Sequence, residues 1–256
     1  MSDSSINQSI QQQFGAVAAN YTTSTVHASG ADLQGLIAAA ALTGSERVID
    51  VGCGAGHVTI GLAGQAAAVV AVDLTPAMLA QTRAQVAAKG LRNVTVEAAD
   101  AMQLPYPDDS FDVAVSRYAA HHFADPLSAL REIFRVLKPG GRWLLVDVVS
   151  PEAPMPDTFL NAVEILRDPS HVRDHCVSQW LAMYAAVGFV GTHEQTWSVR
   201  LEFTSWVTRM ATPEPEVAQL RRMLGAAPES VKQALGIEAD CSFHIPVALI
   251  SGVVPR

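Results

Sequence analysis

Val48-Ile49-Asp50-Val51-Gly52-Cys53-Gly54-Ala55-Gly56-His57-Val58-Thr59 is the stretch whose reading decides the fold. A short β-branched run ends in an acid, three glycines follow at alternate positions, and then come residues able to start a helix. That is the pattern of a buried parallel strand turning into a helix through a tight loop. Glycines tolerate positive φ and let a ligand approach the backbone without meeting a Cβ, and the free N–H groups at the helix start favour a polar or anionic group. The loop is therefore expected to cradle a small ligand, against the plainer reading of a tight turn with none.

The dinucleotide fingerprint is GxGxxG, whereas Gly52, Gly54 and Gly56 read GxGxG, which argues against a nicotinamide cofactor. The chain around the loop repeats one theme. Ala68-Val69-Val70-Ala71-Val72-Asp73 is a second buried strand ending in an acid, about 20 residues after Asp50, where a carboxylate reaches ribose hydroxyls. Thr75 and Pro76 supply an N-cap and a first-turn proline for a helix through Met78 to Gly90. A third strand at 93–98 leads to Asp100. A fourth, 111–116, is followed by Arg117-Tyr118-Ala119-Ala120-His121-His122-Phe123, and a fifth covers 143–149 after a helix opened by Asp125 and Pro126. Upstream, 32–42 reads as a helix with Asp32 near its start as the cap. Strands alternating with helices imply a parallel sheet covered on both faces, with a ligand crevice at the carboxyl ends of the strands.

Beyond Ser150 the rhythm breaks at Pro151, Pro154 and Pro156. Helices are expected at 158–166 and 179–187, a strand at 196–203, two or three short helices over 204–235, and a final strand at 243–251 in which Pro246 suggests an irregular or edge position. Residues 1–30, with Phe14, Val17 and Tyr21 at roughly helical spacing, form a lid segment. Residues 31–149 form the core, 150–235 the substrate cap and late helices, and 236–256 the last strand of a single domain.

The 256 residues carry a net charge of -8 with no concentrated Lys/Arg run, which disfavours binding along a nucleic-acid backbone. Three cysteines without paired spacing imply no disulfide framework or zinc ribbon and fit a reducing compartment. The polar N-terminus has no signal-peptide pattern and no stretch suits a bilayer span, so a cytoplasmic location is expected. Oligomeric state is not legible.

The ordered set DVGCGAGHVT, VVAVDLTPAML, AAD at 98–100, LPYPDDSFDVAVSRYAAHHF and ALREIFRVLKPGGRWLLVDVV resembles the core of the UbiE-like (methyltransferase type 11) group of class I S-adenosylmethionine-dependent methyltransferases, over about Val48 to Val149. The resemblance implies a Rossmann-like α/β fold with a seven-stranded, mostly parallel sheet, its last strand antiparallel, helices on both faces and a small helical cap. It implies S-adenosyl-L-methionine as cofactor, with S-adenosyl-L-homocysteine as product. Gly52, Gly54 and Gly56 would lie under the methionine part, with Asp50 near its amino group. Asp73 would hold the ribose, Leu74 and Met78 would flank the adenine beside Asp100 and Ala101, and Ser116 and Arg117 would line the methionine end.

Methyl transfer is a displacement at carbon, so alignment and exclusion of water dominate, and a base helps an oxygen or acidic carbon nucleophile. His121 and His122, after the fourth strand, are candidates for that base or for a substrate contact, against a role in packing alone. Tyr21, Tyr118, His122, His171 and Arg173 are candidate substrate contacts, and Tyr21 and His27 candidates to close over the cofactor. Cys53 reads as packing rather than a nucleophile, and the His171/His175 spacing does not make a metal site, so none is expected. Phe203, Trp206, Met210 and Met223 read as core, or as the wall of a pocket for an apolar or aromatic acceptor. O- or C-methylation of a small molecule is the expected function. The alternative is a protein that binds the cofactor without catalysis, as a sensor or partner subunit.

Overall fold

A computed structural model describes the backbone of residues 3–22 and 30–256 and the side chains of 6–16 and 30–256. The chain runs through α1 (Asp3–Thr22), α2 (Ala31–Ala40), β1 (Arg47–Val51), α3 (His57–Ala63), β2 (Ala68–Asp73), α4 (Pro76–Ala88), β3 (Val94–Ala98) and β4 (Phe111–Arg117). After a 3-10 turn at Ala120–His122 come α5 (Pro126–Val136), β5 (Leu137–Val148), α6 (Pro154–Arg167) and α7 (Val177–Val187). The last elements are β6 (Val190–Leu201), α8 (Phe203–Arg209), α9 (Glu214–Gly225), α10 (Glu229–Leu235) and β7 (Phe243–Val253).

The seven strands form one sheet in the order β3-β2-β1-β4-β5-β7-β6. β1 to β5 pair in parallel, while β7 lies antiparallel between β5 and β6. Because successive side chains alternate across a strand, each central strand feeds two cores. Val48, Val69, Val113, Val115 and Val146 meet the helices of one face. Ile49, Val70, Val72, Ala114 and Leu145 meet α5 and α7 on the other through Leu130, Ile133, Trp180 and Tyr184. Continuous β-branched runs in these strands are what two-sided burial requires. The order reverses between β1 and β4, so the crevice opens there, at the carboxyl ends of the strands.

Three local expectations need correction. Pro246 is neither irregular nor at an edge: β7 is an inner strand, and Pro246 stands opposite Ser198 of β6. Its missing N–H is tolerated because the β5 ladder ends beside it, at Val148 opposite Val247, and its carbonyl accepts from Val149 N–H at 2.9 Å. The edge strand β6 begins at Val190 rather than 196, its solvent-facing residues being too polar to announce a strand. Asp32 does not cap α2, whose N-cap is Gly30. It is 3 % exposed and pairs with Arg117 Nε at 2.6 Å.

That ion pair ties α2 to the end of β4. Breaking one partner of a buried pair leaves the other charge uncompensated, at a cost of about 3–5 kcal/mol. Asp32→Ala is expected to lower unfolding stability by about that amount in urea titrations. A change below about 1 kcal/mol would show that the pair is dispensable.

Candidate active site

The glycine loop is held from three sides. Gly52 and Cys53 N–H both donate to the Val72 carbonyl at 2.9 Å, Gly54 N–H donates to Asp73 Oδ2 at 2.9 Å, and Thr82 Oγ1 and Gln85 Nε2 of α4 donate to the Gly54 and Ala55 carbonyls at 2.6 and 2.7 Å. Gly52 has φ +72°, and a Cβ there would meet the Ala119 Cβ at 2.5 Å. Gly54 has φ +52° and open space on its missing side chain's side, so its backbone faces the crevice. Asp73 Oδ1 accepts from Thr75 N–H at 2.8 Å; the Thr75 hydroxyl makes no cap bond to α4.

The crevice is a cleft of about 1050 Å³, mouth included, the size range of small-molecule sites. Gly52, Gly54, Asp73, Leu74, Met78, Asp100, Ala101, Arg117, Tyr118 and His122 line it. Asp50, Gly56 and Ser116 sit behind that wall, and Gly56 (φ +89°) leaves no room for a Cβ against Thr82. Asp50 is 1 % exposed, accepts from Thr59 Oγ1 at 2.5 Å, and has Oδ1 without a partner. Burial pushes its carboxyl up to about 7, with the Thr59 bond opposing. The Ser116 hydroxyl is likewise buried and unpartnered.

Helix α1 lies over the cleft. Asn7 Nδ2 donates to Asp100 Oδ2 at 2.7 Å, Gln11 Nε2 to the Leu74 carbonyl at 3.0 Å, and Gln13 Nε2 to the Met210 carbonyl at 2.9 Å. The side chain of Tyr21, and His27 altogether, lie outside the described residues. Cys53 lines the cleft, but burial pushes its thiol well up, the state of an inert packing cysteine.

A second cavity, about 620 Å³ with its mouth, shares Phe14, Tyr118 and His122 with the first. Val148, Leu201, Trp206 and Ile245 give it an apolar side, and His121, Glu164, Arg167, Asp168, His171 and Asp174 a polar one. Phe203 and Met210 are buried core, and Met223 packs against that core. Arg173 lines neither cavity, because Asp157 holds its guanidinium at 2.7 Å. His175 bonds Gln179 and packs on Trp180. No group of three His, Cys, Asp or Glu side chains among the described residues is arranged to hold a metal.

The histidines are individually fixed. His122 Nδ1 lies 2.9 Å from the Ser170 carbonyl. A carbonyl only accepts, so Nδ1 carries the proton and Nε2 the lone pair. Burial, and then the neighbouring His121, hold His122 below the usual histidine range. His171 Nε2 faces Asn161 Oδ1 at 3.2 Å, and burial likewise keeps His171 neutral.

The methyltransferase domain family matches residues 49–145. A Bacillus subtilis (strain 168) protein described as the uncharacterized methyltransferase YcgJ is 37 % identical over 238 residues, 91 % of this chain and 94 % of that protein. This chain belongs to the UbiE-like class I S-adenosylmethionine-dependent methyltransferases. The demethylmenaquinone methyltransferase of Clavibacter sepedonicus is 31 % identical to the methyltransferase over 77 % of each chain. The crystal structure of the Bacillus YcgJ protein superposes with a TM-score of 0.85, at 36 % identity, covering 88 % of this chain and 98 % of that one. S-adenosylmethionine is the cofactor. The residues present fit it: open backbone at Gly54, an unpartnered carboxylate oxygen on Asp50 just behind the glycine loop, and the Asp73 and Asp100 carboxylates at two strand ends are acceptors of the kind an ammonium, two hydroxyls and an amine require. Among the described residues no helix is long and apolar enough to cross a membrane.

Sequence reading missed Asn7, which carries no local signal, and Asp147, which does. Asp147 is a fourth acid at the carboxyl end of a strand, after Asp50, Asp73 and Asp100, and the same rule finds it.

Asp73→Ala removes both the carboxylate facing the cleft and the anchor of Gly54 N–H. S-adenosylhomocysteine affinity is expected to fall at least about 100-fold by titration calorimetry, in line with a lost charge-assisted pair, with unchanged far-UV circular dichroism. Affinity within about twofold of wild type would remove Asp73 from the binding site.

Proposed function

We propose that this methyltransferase alkylates a small hydroxyl-bearing or carbon-acid acceptor held in the second cavity, with His122 as general base. The observation that carries this reading is the wall the two cavities have in common: Phe14, Tyr118 and His122 line both. An acceptor in one thus faces a donor in the other across His122, which disfavours cofactor binding without catalysis. The second cavity has both an apolar and a polar wall, which favours an apolar or aromatic acceptor that also carries hydrogen-bonding groups.

On the donor side, the backbone at Gly52 and Gly54 takes the methionine part, with Gly56 keeping the turn tight, Asp50 near the ammonium, Arg117 lining that end and Ser116 just behind it. Asp73 takes the ribose hydroxyls. Leu74 and Met78 flank the adenine, and Asp100, beside Ala101, accepts from its amine. When bound, S-adenosylmethionine supplies an electrophilic methyl carbon whose bonding pair stays on sulfur as it leaves.

The protein's own part is alignment, closure by α1, and removal of one proton. His122 Nε2, lone pair outward and Nδ1–H locked on the Ser170 carbonyl, takes the acceptor's proton. Asp168 Oδ2, 3.9 Å from Nε2, faces the imidazolium that forms. Phe14 stands edge-on to the His122 ring at 4.9 Å between centroids, so seating of the lid and placement of the base are one event.

His122→Gln is expected to lower kcat by about 10²–10⁴-fold on any accepted acceptor, with a far smaller effect on S-adenosylmethionine affinity. Acceptors are found by mass-spectrometric screening of small phenols, enolisable ketones and alcohols. Undiminished kcat in His122→Gln would remove the base.

The direction of the His122 shift fixes the pH behaviour. A depressed pKa leaves the base deprotonated throughout the neutral range, so with S-adenosylmethionine saturating, kcat/KM for the acceptor is expected to rise only on the acid side of the ordinary histidine range and to be flat through pH 7. A limb centred near 6.5 would mean an unperturbed base.

A further inference from the structure

His121 and His122 are adjacent in sequence, and their rings lie 4.2 Å apart between centroids, yet their surroundings differ in charge. His121 Nδ1 is 2.6 Å from Asp147 Oδ1. Asp147 is 1 % exposed and also accepts from the backbone N–H groups of Ala120 at 2.7 Å and His121 at 3.2 Å. His121 meets Asp147 through Nδ1, and against burial that carboxylate pushes the ring up to about 9, so Nε2 also carries a proton at neutral pH, on a ring that lines the acceptor cavity and remains 17 % exposed. The acceptor thus meets two unlike imidazoles, one offering an N–H on a cation and one a lone pair.

Resting on the reading of His122 as the base, we propose that the His121–Asp147 ion pair selects acceptors whose nucleophile is neutral at rest and anionic as it attacks, a hydroxyl or an acidic C–H, and rejects amines. His121 supplies the fixed positive charge that steadies the forming anion. Asp147 is a positioning residue, holding both that charge and the turn that carries the two rings.

The neighbouring charges support this selection. Around His121 stand Asp147, Asp174, Glu164, His122 and His171; around His122 stand His121, Asp168, Asp147 and the Ser170 carbonyl. Most of the acids are already engaged. Glu164 is 3.2 Å from Arg167 Nη1, and Asp168 Oδ1 accepts from Ser170 N–H at 2.9 Å and Oγ at 2.6 Å. Asp174 has Oδ2 unpartnered, but burial drives its carboxyl toward the neutral form, a hydrogen-bonding group rather than a counter-ion. Burial alone would strip His121 of its proton; the Asp147 carboxylate, through its charge and its hydrogen bond, outweighs it and pushes His121 up to about 9. An ammonium would therefore sit beside a like charge, whereas an oxyanion or carbanion finds a preorganised cation in a largely desolvated pocket.

The proton ledger closes without an added reagent. The acceptor's proton goes to His122 Nε2, the lone pair left behind forms the bond to the methyl carbon, and the C–S pair stays on sulfur. His121 keeps its proton throughout.

The test uses 4-nitrophenol, whose phenolate absorbs visible light, titrated with pH on the full chain saturated with S-adenosylhomocysteine, with phenol and benzylamine as competitors. Bound 4-nitrophenol is expected to ionise at least about one pH unit below the free compound. His121→Gln and Asp147→Asn, the second retaining the carboxylate's shape, are each expected to abolish that difference. Benzylamine is expected to displace the probe at least about tenfold less well than phenol. A midpoint that is unchanged or raised overturns the proposal. So does a difference that survives in both variants, benzylamine outcompeting phenol, or no entry of the probe into the loaded protein. The reading of His122 is judged separately: full turnover in His122→Gln with a shifted probe removes the base alone, and lost turnover with an unshifted probe removes the charge selection alone.

Discussion

Asp147 is the constraint on which the site depends. It ends the central strand β5 beside β4 and, with two oxygens, receives Ala120 N–H, His121 N–H and His121 Nδ1 from the chain just beyond β4. A single buried carboxylate thereby fixes a 3-10 turn in which two histidines project toward two cavities. A buried acid is costly unless paired and hydrogen-bonded, and this one is both.

The glycine-loop cleft and the second cavity are built on different principles. The cleft is made by the sheet: loops at the carboxyl ends of β1, β2 and β3 bring glycine backbone, Asp73 and Asp100 to one crevice because the strand order reverses between β1 and β4. The second cavity is made by what surrounds the sheet, with α6 and the loop after it contributing Glu164, Arg167, Asp168, His171 and Asp174. Methyl transfer needs reacting atoms collinear within a narrow tolerance, and in the proposed arrangement the rigid sheet would lie under the donor, with residues from more distant segments on the acceptor side.

How much was legible follows from that division. Strand-and-loop signals are local, so GxGxG, the acids at strand ends and the β-α rhythm announce the cleft in which Gly52, Gly54, Asp73 and Asp100 meet. Contacts distant in sequence were not legible. Asp32 reads as a helix cap because its partner Arg117 is far along the chain, and the Asp157 that pairs with Arg173 lies a helix away from it. Pro246 misled because edge position is inferred from the missing N–H, while the structure hides that N at the end of a ladder. The tautomer of His122 depends on the Ser170 carbonyl, which no spacing rule ties to it.

The most direct test of the account is a crystal structure of the protein with S-adenosylhomocysteine bound. The account predicts the homocysteine part over Gly52 and Gly54, the ribose on Asp73, the adenine between Leu74 and Met78, and the sulfur directed at the wall formed by Phe14, Tyr118 and His122. A sulfur turned away from His122, with protein filling the space between them, would contradict it.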